Sequence, residues 1–418
     1  MAGKDWPLVP LGELTENLDG RRAPVRGIDR KPGPYPYYGA SGIVDHVDGY
    51  LFDGEYLLIG EDGENLRTRR TPLAFMATGK FWVNNHAHIV RGNQRADTRF
   101  LSYVLSQTDI SGYLTGSTMP KLTQGNLNRI PVIAPPLAEQ KSIAAVLGAL
   151  DDKIELNRRM NATLEAMARA LFQSWFVDFE PVRAKLDGRK PVGLDDATAA
   201  LFPDAFQEST AGHIPHGWTV QPVGEVVDCV GGGTPSTAER KYWDGGTHHW
   251  TTPKDFSSLQ APVLLDTDRK LTDAGIAKIS SGLLPAGTLL LSSRAPVGYL
   301  AIAAMPVAIN QGFIALKCNE RASNFFMLNW CQANMSEIES RATGTTFAEI
   351  SKQNFRPIPV VLPPKVLMAR FTELVSPFYA RIAANLRQSN TIAAIRDGLL
   401  PKLLSGQILL GKTQGLIP

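Results

Sequence analysis

Cysteine is scarce in this chain of 418 residues: there are three, Cys229, Cys318 and Cys331. An odd number without C-x-x-C spacing excludes a disulfide framework and a thiolate zinc site, and a reducing compartment is expected. Long apolar runs are also missing. No window approaches the roughly eighteen uninterrupted apolar residues of a membrane-spanning helix, and the opening MAGKDWPLVPLGEL has no signal-like apolar stretch. A soluble cytoplasmic protein without membrane contact is the expectation. Charge of one sign is not in excess: 43 Lys and Arg against 40 Asp and Glu give a net charge of +3, so any attraction for a polyanion must come from local distribution. With 44% hydrophobic and 20% charged residues, the chain lies far from the composition of disorder. Catalytic signatures are absent as well. No G-x-G-x-x-G follows a strand, and neither a G-x-S-x-G elbow nor an N-P-P-[FY] segment occurs. The stretch Gly406 to Thr413 fits the phosphate-loop pattern in letters only, because the helix that pattern needs does not follow. His86 and His88, or His248 and His249, lack regularly spaced further ligands and read as strand or loop histidines. No catalytic residue, metal or cofactor is expected in this chain.

What the sequence does contain is itself, twice. Trp6, Pro10, Gly12 and Glu13 correspond to Trp218, Pro222, Gly224 and Glu225 at a constant offset of 212. Further on, GSTMPKLTQGNLNRIPVIAPP aligns with GTTFAEISKQNFRPIPVVLPP, so that Gly116, Thr118, Asn126, Ile130, Pro131, Pro135 and Pro136 match Gly344, Thr346, Asn354, Ile358, Pro359, Pro363 and Pro364 at offset 228. The second unit is sixteen residues longer between its anchors, which surface loops accommodate cheaply. Such a period is far beyond the roughly 20 to 50 residues of solenoids, and a tandem pair of domains follows. Within each, short apolar runs (YLLIG, LAFMA and AHIV; TLLLSS, LAIAA and FIALKC) sit between turns and read as strands, with FLSYVLSQTDI and FFMLNWCQANMSEIES as helices after them. Both domains are mixed α/β.

Each half closes on a long helix. From Ala138 to Phe179 there is no proline and one glycine, Gly148. Ile143, Leu147, Leu150, Ile154, Leu164, Ala168, Leu171 and Trp175 keep the 4-3 spacing of a coiled-coil seam, interrupted by Asn157 and Asn161. The C-terminal segment repeats the pattern with Phe371, Val375, Phe378, Ile382, Ile392, Leu399 and Leu403, and it places Asn385 and Ser389 where the first has its asparagines. Two exposed seams would be costly, so the helices are expected to pack on each other as an antiparallel intramolecular coiled coil with a pseudo-twofold axis. The polar seam residues would set the register. Pro377 and Pro401 should kink or end the second helix. Prolines and scattered charges over 181–215 read as an exposed linker.

The run PLAEQKSIAAVLGALDDKIELNRRMNATLEAMARALFQSWFVDFEPV, the following ALFPDAFQ and GHIPHGW, and the terminal LLPKLLSGQI resemble the conserved regions of specificity subunits of Type I restriction-modification systems. The likeness covers the whole chain, with P-P-L-x-E-Q (Pro135, Pro136, Leu137, Glu139, Gln140) as its most specific mark; the second copy, P-P-K-V-L-M, lacks the Glu-Gln pair. The resemblance implies target-recognition domains over 1–136 and 216–364, conserved long helices over 137–180 and 365–410, and the linker between. It implies a non-catalytic subunit that reads a split site on double-stranded DNA, one half per head, while its helices dock two methyltransferase subunits and restriction subunits join the full complex. S-adenosylmethionine, ATP and Mg would be bound by those partners. A two-headed scaffold for proteins, or the specificity subunit of a related phage-defence methylation complex, would share the architecture.

DNA-contact candidates in the first head are Arg21, Arg22, Arg26, Arg30 and Lys31 in a Gly/Pro-rich stretch, then Arg67, Arg69 and Arg70, with Ser117, Thr118 and Lys121 before the long helix. Arginines on loops attract phosphates and can read guanine with two hydrogen bonds; a solvated charged face would have the same composition. In the second head Thr234, Ser236, Arg240, Lys241 and Tyr242, with Thr345 and Thr346, are the counterparts.

Overall fold

The computed structural model describes residues 6–344 and 348–410. They form two compact units. One comprises the chain up to Ile154 together with the stretch from Asn390 onward, and the other is Glu155–Ser389. Thr345 and Thr346, and the segment from residue 411 onward that holds the end of the phosphate-loop pattern, lie outside the described residues. Gly406, the first residue of that pattern, stands at φ +66 and ends a helix rather than opening one, with its N–H on the Leu403 carbonyl at 3.1 Å.

In the first unit β1 (Leu8–Pro10) pairs antiparallel with β8 (Pro131–Ile133), tying the start of the head to its end. A six-stranded sheet lies between, built from β2 (Thr15–Asn17), β3 (Pro32–Gly39), β4 (Gly42–Val47), β5 (Phe52–Gly60), β6 (Ala74–Val83) and β7 (Ala87–Gly92) in the order β2-β7-β5-β6-β3-β4. Strand β5 is buried on both faces. Leu57 and Ile59 join the helix Thr98–Gln107 and the long-helix residues Ile143 and Leu147 in one core, while Phe52, Tyr56 and Leu58 pack with Phe81 and Ile89 in another. Period-two geometry sends neighbours to opposite sides, and a strand covered on both must be apolar throughout, which is why YLLIG shows no alternation.

The second unit repeats this plan. The strand β11 (Thr219–Pro222) pairs with β20 (Pro359–Leu362) as β1 does with β8. The sheet order β12-β19-β16-β17-β14 begins as a copy of β2-β7-β5-β6, with β12 (Asp228–Gly231), β14 (Val263–Leu264), β16 (Leu289–Ser293), β17 (Val297–Ala303) and β19 (Phe313–Lys317). A three-stranded sheet, β15-β13-β18 (Arg269–Leu271, His248–Thr251, Val307–Ile309), completes the second head. Matched residues of the duplication do matched work. Ile130 and Ile358 are buried, and their carbonyls accept the N–H of Leu11 and Val223, each at 2.9 Å. Asn126 donates to the Tyr113 carbonyl at 2.7 Å and Asn354 to the Arg341 carbonyl at 3.1 Å. A side chain at Gly12 would meet Asn128 at 2.9 Å, and one at Gly224 would meet Arg356 at 2.8 Å; both must be glycine for the same close approach.

The long helices run Leu137–Phe172 and Lys365–Leu404. The first continues through a π turn, Gln173–Val177, and Phe179 at φ +53 ends it. In the first unit, Ile143 and Leu147 pack with Leu400 and Leu403, and Asp151 accepts a bond from Arg396 at 2.7 Å. In the second, Phe371 meets Phe172, Trp175 and Phe176 with ring centroids 6.3, 6.0 and 5.0 Å apart. The second unit also holds a buried polar rung. Asn157 donates to Gln388 at 3.0 Å and to Ser389 Oγ at 3.1 Å, and Asn385 donates to Asn161 at 2.9 Å. Rising residue numbers on one helix meet falling numbers on the other, so the pairing is antiparallel. Pair 157 with 389 becomes pair 385 with 161 when each residue is exchanged for its duplicate, which is the contact pattern of a twofold.

Three expectations need correction. Of the kink or end expected at Pro377 and Pro401, the end does not occur, since the second helix runs on to Leu404; each proline removes one backbone bond, and the apolar residues packed on either side hold the turns that remain. At the seam, Tyr379 rather than Phe378 is the buried residue. The segment 181–215 is no exposed linker: it forms helices Glu180–Leu186 and Asp196–Ala200 and the hairpin of β9 (Phe206–Ser209) and β10 (Gly212–Pro215). Val182, Phe202 and Ile214 bury in the second core. Its few apolar residues are spaced by turns, so they show no periodicity although Val182, Phe202 and Ile214 pack inward.

Candidate nucleic-acid interface

Three loops of the first head are drawn together by arginines. Arg22, on the β2–β3 loop, donates to Glu61 at 2.7 Å and to the Ala87 carbonyl at 2.8 Å. Arg67, on the β5–β6 loop, reaches the carbonyls of Gly116 at 3.3 Å and Ser117 at 3.5 Å in the loop before the long helix. Beneath them His88 is held between Asp19 at 2.5 Å and the Leu122 carbonyl at 2.7 Å. Burial pushes the Asp19 carboxyl up, but His88, the Ile89 N–H and Arg22 outweigh it and leave Asp19 below the usual carboxylate range. Asp19, Glu61 and His88 lie close enough to hold a cation, yet both His88 ring nitrogens are already engaged and the Arg22 guanidinium occupies the carboxylates. The arrangement is a buried salt-bridge network that fixes the loops.

The cations expected to meet DNA thus divide. Arg22, Arg30 and Arg69 are committed to the fold: Arg30 pairs with Asp45 at 3.1 Å and lies over the Tyr37 ring, and Arg69, in a left-handed conformation, donates to the carbonyls of Leu105 and Thr108. Arg21 lies over Phe52 at 5.0 Å, and Lys121 pairs with Glu61 at 3.3 Å. Arg26, Lys31 and Arg70 are exposed and, among the described residues, have no side-chain partner. Ser117 and Thr118, on the third loop, are exposed as well.

In the second head, Thr234 donates to Gln311 at 2.6 Å, linking the loop after β12 to the turn before β19. Arg240 pairs with Asp244 at 2.7 Å and Lys241 with Glu239 at 3.3 Å; Lys241 also lies 5.3 Å over Tyr242. The Ser236 carbonyl accepts the Trp243 indole N–H at 3.0 Å. These charges are locally balanced. Sequence reasoning missed Arg269, stacked 3.5 Å over Trp243, because it stands on β15 and its aromatic partner on a separate loop well before it in the chain. It also missed Arg294, paired with Glu349 at 3.6 Å. A hollow of about 260 Å³ lined by Ser280, Ser293, Gln311, Glu349 and Lys352 lies beside that pair.

Among the described residues no helix is long and apolar enough to cross a membrane. The family model for the Type I restriction modification DNA specificity domain matches residues 3–166 and 215–392. A putative type I restriction enzyme specificity subunit of Haemophilus influenzae is 38% identical over 154 residues, which is 36% of this chain and 38% of that protein. The HindI specificity subunit of the same organism is 25% identical over 97% of this chain and 100% of its own length. The crystal structure of an S subunit from M. genitalium shares the fold over 96% of each chain, with a TM-score of 0.58 at 15% identity. With two matched copies of the domain, one in each α/β head and each reaching into a long helix, this chain belongs to the Type I restriction modification DNA specificity family.

Proposed function

We propose that the chain is the DNA-reading, non-catalytic subunit of a Type I restriction-modification enzyme. The head within 1–136 and that within 216–364 each take one half of a bipartite site on double-stranded DNA. One observation carries the reading: a single framework is built twice, with the same order in four strands of the sheet and the same anchoring bonds, and is given different loops each time. A protein that reads two unequal half-sites needs equal geometry and unequal side chains. Arg26, Lys31 and Arg70 supply uncommitted charge for phosphates. On the long helices, Val146, Leu156, Met167 and Ile395 stay more than a third exposed. Apolar residues left uncovered along a helix favour burial by a partner, and two methyltransferase subunits are the partners this reading assigns to them. Methyl transfer and cleavage, with S-adenosylmethionine, ATP and Mg, then belong to the methyltransferase and restriction subunits.

The test is to map methylated adenines in the host genome with and without this gene. A bipartite motif that disappears with the gene supports the reading, and exchange of residues 1–136 for those of a relative should alter one half of that motif alone. A methylation pattern independent of the gene, or purified chain and partner without salt-sensitive affinity for DNA, would leave a protein scaffold as the better account.

A further inference from the structure

Superposition of hydrogen bonds identifies positions that the sequence alignment does not. In the first head the N–H of Glu61 donates to the His86 carbonyl at 2.9 Å, and the Glu61 carbonyl accepts from Leu122 at 2.7 Å. In the second the N–H of Ser293 donates to the Gly312 carbonyl at 2.8 Å, and the Ser293 carbonyl accepts from Ile350 at 2.9 Å. Thr115 and Lys121 exchange both backbone bonds, as do Thr343 and Glu349. The Asn84 side chain accepts the His86 N–H at 2.8 Å, and the Asn310 side chain accepts the Gly312 N–H at 2.8 Å. A one-residue antiparallel bridge then joins Asp62 to Lys121 in one head and Arg294 to Glu349 in the other.

The framework is therefore the same, bond for bond, while the side chains it carries are inverted in charge. Where the first head has Asp62, the second has Arg294; where the first has Lys121, the second has Glu349. Asp62 holds the exposed His86 ring at 2.9 Å, whereas the second head has no side chain at Gly312, where Asn310 and Pro253 close in to 3.0 Å of the Cβ position, and Arg294 turns to Glu349. Elsewhere the duplicated framework keeps its chemistry, as at Asn126 and Asn354. A change of charged side chains on an unchanged backbone is what two readers of different base pairs require.

Resting on the DNA-reading function above, we propose that this bridge is one base-reading position built twice: Arg294, steadied by Glu349, reads a guanine in one half-site, and Asp62 with His86 accepts an exocyclic amino group of cytosine or adenine in the other. The chemistry follows from the groups. A guanidinium fork matches the two major-groove acceptors of guanine, and a carboxylate accepts from an exposed base amino group. The carboxylate of Glu349 keeps the fork oriented without covering it, since both side chains remain more than a third exposed.

The experiment replaces the chromosomal gene and maps adenine methylation in the host, so that the protein acts in its own complex. Arg294→Lys keeps the ion pair with Glu349 but loses the planar fork. Expected is relaxation at one base pair of one half-site, with discrimination there falling roughly ten- to hundredfold and the other half-site unchanged. Arg294→Asp combined with Glu349→Lys installs the first head's charges on the same bridge, and it should change the preferred base at that position while methylation continues. If the wild-type gene directs a bipartite motif and both variants leave it intact, the pair is a loop staple and the proposal falls while the DNA-reading function stands. If both half-sites relax together, position-by-position reading by each head is wrong. If the wild-type gene directs no motif, the function and this proposal fall together.

Discussion

The asparagine rung between the long helices allows a sharp test. Asn385 donates to Asn161 at 2.9 Å, and the two side chains are 2% and 3% exposed. Asn385→Leu removes the donor and leaves the Asn161 carbonyl oxygen buried and unpaired, which costs about 1–3 kcal/mol. Asn161→Leu strands the Asn385 amide to a similar degree. The double leucine variant removes both polar groups and fills the seam with apolar volume, and such replacements are near neutral or stabilising. The double change should therefore cost less than either single one, with a coupling of about 1–3 kcal/mol. Amide hydrogen exchange around residues 161 and 385 measures this locally and does not require two-state unfolding of so large a chain. Each single variant should speed exchange there about ten- to hundredfold, and the double variant should return it toward the wild-type rate. Additive losses in the double variant would refute the direct pairing.

Two further outcomes can be checked. Burial pushes the Glu165 carboxyl up to about 7, although Arg169 pulls it back. A carboxyl whose folded pKa is raised stabilises the fold at pH below its unfolded value near 4.5 and loses that contribution as pH rises to about 7; thermal midpoints should fall over that window, and Glu165→Gln should flatten the slope by an effect on the order of 1 kcal/mol, allowing for solvent screening of a partly exposed group. For DNA binding by the chain with its partner, Arg26→Ala and Arg70→Ala should each lower the salt slope by about one at an unchanged melting temperature, whereas Arg22→Ala should lower the melting temperature first; equal behaviour of all three variants would contradict the division between free and committed arginines.

Local periodicity and likeness between the two copies were legible in the chain before any fold was known. The buried strands β5 and β16, the heptad seams and their polar interruption at Asn157, Asn161 and Asn385, and the glycines at 12 and 224 were legible because a helix, a strand or a close approach imposes its own spacing. Tertiary structure alone decided which charged residues are free. Arg22 and Arg26 are alike in the sequence, but one is held by Glu61 on a loop 39 residues away, a distance no local pattern spans. It also decided which positions of the two heads are equivalent. Asp62 and Arg294 stand 232 apart and His86 and Gly312 stand 226 apart, between anchors offset by 212 and 228, because each loop carries its own insertions; only the shared hydrogen bonds of the sheet restore the register. Burial of Phe202 and Ile214 in the presumed linker belongs to the same class, since isolated apolar residues between turns acquire an inside only when the rest of the chain supplies one.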